Sequence, residues 1–87
     1  MTIELDGRQF IDKETAFNYL IANLELPDYT GRNLDGLWDA LYDKDALDIL
    51  IYNAREIPIQ LDDYGISLLD LFGDLHRDTD HNVIFFW

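Results

Sequence analysis

The chain contains no cysteine, which excludes disulfides, thiolate zinc sites and cysteine nucleophiles together and is compatible with a reducing compartment. No apolar run approaches the ~20 residues needed to span a bilayer. The opening residues Met1 to Gly7 carry neither the basic region nor the apolar stretch of a secretory signal. With two prolines and five glycines among 87 residues, there is no Pro/Gly-rich linker, and neither repeats nor low-complexity tracts are present. Cations are scarce: six Lys and Arg stand against 18 Asp and Glu, a formal charge of −12. Charge of that sign repels phosphate backbones and speeds encounter with basic partners, so direct nucleic-acid binding falls first.

What is there points to one globular domain over residues 1–87, expected in the cytoplasm and off the membrane. A length of 87 residues is short for two domains, and 48% hydrophobic content is too high for compositional disorder. Thr2–Leu5 and Arg8–Ile11 flank the turn pair Asp6-Gly7, predicting an opening strand with a small hairpin. Asp12 caps a helix carrying Ala16, Phe17, Leu20, Ile21 and Leu24 at helical spacing, which stops before Pro27. Asn33 caps a second helix through Tyr42, with Leu34, Leu37 and Leu41 on one side. Leu47–Tyr52 is a short apolar run expected as a buried strand, and Arg55–Asp63 is a short helix or turn. Ile66, Leu69, Phe72, Leu75 and His76 form a third helical stripe, with Gly73 weakening it. Asn82–Trp87 is expected as a buried strand. The alternation predicts an α/β fold, a three-stranded parallel sheet packed by three to four helices.

The second helix carries a pattern that packing does not require. At about 100° per residue, Asp35, Asp39 and Asp43 share an arc of about 80° away from the three leucines. Acids four apart repel by a few tenths of a kcal/mol per pair. Asp35 suits the helix start, but Asp39 and Asp43 lie towards the end where the dipole disfavours anions. An acidic protein carries acids on many solvated faces, so charge alone does not decide between a solvated face and a site. Tyr29, Trp38 and Tyr42 flank these carboxylates, and aromatic anchors among charges suit a protein interface better than a solvated face. Trp38 also sits at the border of the core side.

Other chemistries are thinner. Asp43-Lys44-Asp45 with Asp48 lacks the glycine and bidentate glutamate of a calcium loop. His76 to His81 has the composition of a helix end followed by a polar loop, with no metal expected. Paired carboxylates could act as general acid and base, but a helix of so small a domain offers little cleft, and no nucleophile triad, phosphate loop or dinucleotide fingerprint is present. No enzyme and no cofactor are expected.

The stretch Leu26-Pro27-Asp28-Tyr29-Thr30-Gly31-Arg32-Asn33-Leu34-Asp35-Gly36-Leu37-Trp38-Asp39-Ala40-Leu41 resembles the signature of the barstar family, small acidic inhibitors of secreted bacterial ribonucleases such as barnase. The resemblance implies a three-stranded parallel sheet packed by helices and a 1:1 complex with a basic microbial ribonuclease. The second helix and its preceding loop would plug the active site, with carboxylates standing where substrate phosphates bind. It implies Asp39 as the central phosphate mimic, Asp35 beside it, apolar contact from Tyr29 and Trp38, and Asn33 holding the loop. By its offset from Phe72, Asp74 matches a family acid that meets a nuclease arginine. Tyr42, Asp43 and Lys44 depart from the family pattern of a small polar residue, a glycine and a second tryptophan. Tyr42 and Asp43 are expected at the partner surface, while Lys44 puts a cation where an aromatic contact would lie. Gly36 replaces a helix-favouring alanine. These departures leave a second reading open: an immunity or regulatory binding module whose partner is another basic toxin or a protein that is not a nuclease.

Overall fold

The computed structural model describes residues 1–87. Strands β1 (Thr2–Asp6), β2 (Asp48–Tyr52) and β3 (Asn82–Phe85) pair in the order β1-β2-β3, all parallel. Parallel neighbours need long crossovers, and helices fill both. Between β1 and β2 run α1 (Lys13–Asn23) and α2 (Leu34–Tyr42), and between β2 and β3 run α3 (Glu56–Leu61) and α4 (Asp63–Asp78). This is the α/β architecture that the alternation predicts, with four helices.

The register explains where the core sits. Ile3 pairs with Ile49, which pairs with Val83, and Leu5 pairs with Ile51; all five are buried against the helices. The intervening row Glu4, Leu50 and Ile84 lies on the opposite face, where Glu4 and Ile84 are exposed and Leu50 is half-buried. Parallel sheets are normally covered on both faces, whereas here the helices cover one. Two expectations change as a result. β2 is not buried throughout, since Tyr52 is exposed. β3 is an edge strand ending at Phe85, with Phe86 and Trp87 43% and 65% exposed. Phe86 instead stacks on Tyr52 across the open face, ring centroids 4.9 Å apart.

Two further expectations are corrected, the hairpin and the inner stripe of the last helix, and the short helix or turn expected over Arg55–Asp63 is a helix. No hairpin follows β1: Gly7–Gln9 form a 3-10 turn capped by the Asp6 side chain, and β1 pairs with β2 instead. Phe10, fully buried, draws the segment into the core. The Arg55–Asp63 segment is helical over α3, because Pro58 falls in the first turn, where its missing N–H has no intrahelical partner to lose. The inner stripe of α4 is Leu68, Leu71, Phe72 and Leu75, while Ile66 and His76 are exposed. Close backbone contact of Gly65 with Ile57 and Pro58 sets that rotation; a Cβ there would stand 2.5 Å from the Ile57 carbonyl oxygen.

Candidate partner-binding surface

Asn33 starts α2 as its sequence predicts: the side-chain Oδ1 accepts from the Gly36 N–H at 2.7 Å. This satisfies one of the donors left open at a helix start. Leu37 and Leu41 anchor the inner face at 0% exposure, and Leu34 is half-buried; full burial of each leucine contributes roughly 1.5–3 kcal/mol. With that face fixed, helical periodicity turns Asp35, Asp39 and Asp43 outward, and all three are exposed. None of them takes part in a salt bridge. Trp38 lies at the border, half-buried against the core, and its ring stacks on the exposed Tyr42 at 6.3 Å.

The loop before α2 is held by its own backbone and by one cation. The Thr30 N–H donates to the Pro27 carbonyl at 2.9 Å. The Arg32 guanidinium donates to the Asp28 and Thr30 carbonyls and to Asn18 Oδ1 on α1. Tyr29 then projects at 89% exposure. The loop lies directly on the helix: a Cβ at Gly36 would stand 2.6 Å from the Gly31 carbonyl oxygen. Gly36 is therefore the residue that lets loop and helix touch, and its propensity cost serves that contact.

Shallow grooves flank α2. On the α4 side a depression of about 270 Å³ is lined by Leu34, Asp35, Trp38, Ser67, Asp70, Leu71 and Asp74. On the loop side one of about 370 Å³ is lined by Pro27, Tyr29, Thr30, Gly31, Gly36, Asp39, Ala40 and Asp43. Asp74 is thus brought beside Asp35 and Trp38, and Tyr29 beside Asp39 and Asp43. Tyr42 lines neither; it faces a third depression with Lys44, Asp45 and His81. Unlike the α2 acids, Asp74 already accepts from Arg77 at 2.9 Å. Arg77 also grips Asp78, and that hydrogen bond holds the Asp78 carboxyl below the usual carboxylate range.

Several contributors have no signal in the sequence. Asp70 joins the acidic groove only because α4 packs beside α2. The Lys44 ammonium reaches back to the Glu25 carbonyl at 3.3 Å, a contact that nothing local in the sequence signals. His81, expected in a polar loop, is 4% exposed and bonded to the end of α2. No three of the His, Asp and Glu side chains converge as a metal-holding group, and no helix is long and apolar enough to cross a membrane.

Fold and surface together define an acidic α/β protein that displays unpaired carboxylates and aromatic rings on one helix and the loop before it. A family model described as Barstar (barnase inhibitor) matches residues 1–87, and the chain belongs to the barstar family. It is also similar to "Putative ribonuclease inhibitor YrdF" of Bacillus subtilis (strain 168), 51% identical over 39 residues. That match takes in 45% of this chain and 43% of the relative's length.

Proposed function

We propose that this protein inhibits a small basic ribonuclease of the barnase kind in a 1:1 complex, covering the enzyme's active site with α2 and the Tyr29 loop. The observation that carries this reading is the outward row Asp35, Asp39 and Asp43, with no cation of its own chain paired to it, on a chain of the barstar family. A ribonuclease concentrates positive potential where phosphate charge develops. A rigid surface of opposite potential is attracted from a distance and docks in register. Asp39, in the middle of the row, takes the position of a substrate phosphate; Asp35 and Asp74 meet basic groups on the α4 side; Tyr29 and Trp38 add apolar contact; Asn33 keeps loop and helix together.

RNA cleavage by a panel of small basic microbial ribonucleases, titrated with this protein, tests the reading. Stoichiometric inhibition of at least one enzyme is expected. Asp39→Ala should then weaken inhibition by about 2 kcal/mol or more, some thirtyfold in Kd, with unchanged far-UV circular dichroism. Equal inhibition by that variant removes Asp39 from the contact. Tyr42, 63% exposed beside Trp38, favours a second reading, an immunity or regulatory module for another basic toxin or a protein that is not a nuclease. Failure to inhibit any panel member, with a different basic protein captured stoichiometrically, would establish it.

A further inference from the structure

His81 lies in the connection from α4 to β3 and is 4% exposed. Its Nδ1 accepts from the Leu47 N–H at 3.0 Å, and its Nε2 lies 2.6 Å from the Leu41 carbonyl oxygen. A carbonyl oxygen only accepts and an amide N–H only donates, so Nε2 carries the hydrogen and Nδ1 is bare. The ring is therefore a neutral imidazole joining the last turn of α2 to the start of β2. It is oriented from the α4 side as well: the His81 N–H donates to Thr79 Oγ1, which donates to the Leu75 carbonyl. One continuous set of hydrogen bonds runs from α4 through His81 to the end of the helix that bears Asp39 and Asp43.

We propose that His81 is the positioning residue of the acidic helix, tying the end of α2 to the residue before β2 as a neutral imidazole, and that protonation breaks this tie on the Leu47 side, so that the end of α2 is no longer fixed to β2. An imidazolium has no acceptor nitrogen, so protonation would set a ring N–H against the Leu47 N–H. The charged and titratable groups that line the depression beside His81 are Tyr42, Lys44 and Asp45, at the end of α2 and in the connection to β2, and Asp78, paired to Arg77, and Asp80 at the end of α4. His76 supplies an internal comparison. Its Nδ1 accepts from the Val83 N–H at 3.0 Å, but the residue is exposed and touches α4 and β3 without reaching α2. The effect on partner binding rests on the inhibitor reading; the effect on α2 does not.

The test follows amide exchange and the Trp38 and Tyr42 resonances of the free chain by NMR, between pH 7.5 and 5.5, across the range where imidazoles generally charge. Protection of the Leu47 amide, corrected for intrinsic exchange, should fall at least tenfold in one step that coincides with the His81 side-chain nitrogen titration. His76→Gln should keep that step, and His81→Gln should abolish it. Constant Leu47 protection, or a step that follows His76 instead, overturns the proposal, and the wild-type titration decides even if His81→Gln fails to fold. With a ribonuclease that the protein inhibits at pH 7.5, dissociation should quicken at least tenfold at pH 5.5 for wild type and less than threefold for His81→Gln. Using the same enzyme with both chains cancels its own titration. Absence of inhibition at pH 7.5 would defeat the inhibitor reading and leave the Leu47 result to stand or fall by itself.

Discussion

Two glycines inside helices separate propensity from packing at the scale of single residues. Gly73 lies midway along α4 with nothing within 4 Å of where a Cβ would stand, whereas a Cβ at Gly36 would meet the Gly31 backbone at 2.6 Å. Gly73→Ala should raise stability by about 0.5–1 kcal/mol through propensity alone. Gly36→Ala gains the same propensity but overpacks against backbone, at about 1–3 kcal/mol, so a net loss of about 1 kcal/mol is expected. Chemical denaturation of both variants checks the opposite signs. Asp6 gives a second residue-scale prediction. The Arg8 guanidinium hydrogen-bonded to both its oxygens holds its carboxyl at about 2, against an ordinary 3.8. Because the folded value is the lower one, the contribution to stability is present above 3.8 and lost as pH falls through about 2. Acid unfolding curves should therefore lose less stability across that window in Asp6→Asn than in wild type.

At the scale of elements, the proposed partner surface depends on a loop whose shape the helix alone does not set. Arg32 ties the 27–33 segment to α1 and to its own carbonyls. Arg32→Ala should raise amide exchange at Thr30 and Gly31 about tenfold while the β2 amides stay protected, and should weaken inhibition by about 1 kcal/mol. Unchanged exchange in the loop would show that its backbone turn suffices. The boundaries of α2 were legible because Asn33, Leu37 and Leu41 are local signals, a cap and a 3.6-residue stripe. The inner face of α4 was not, because Ile66 and Leu68 offer alternative stripes and the choice was made by Gly65 meeting α3. The end of α1 shows the same limit. Glu25 adopts φ 54°, and the Leu26 N–H closes on the Ile21 carbonyl, the terminating geometry that usually carries glycine.

For the whole molecule, the charge of −12 and the unpaired α2 acids act together as a long-range field. Screening shortens that field to about 10 Å at 0.1 M salt. Association with a basic ribonuclease, followed by stopped-flow fluorescence, should slow at least tenfold between low salt and about 0.5 M, with dissociation much less affected. A salt-insensitive association rate would show that the acids do not steer.

The sequence alone determined the alternation of the three strands with helices, the parallel α/β class and the outward acidic row of α2, and its 26–41 stretch carried the family resemblance. The first three rest on local spacing (caps, helical stripes and a charge pattern that periodicity turns to one side), the resemblance on one ungapped run of residues. Tertiary structure decided what depends on residues far apart in the chain. It left one face of the sheet open, placed Asp70 and Asp74 beside Asp35, turned Lys44 back to Glu25 and buried His81 between Leu41 and Leu47. Each is a contact between elements, and no local pattern in the sequence encodes which side chain a distant backbone group will meet.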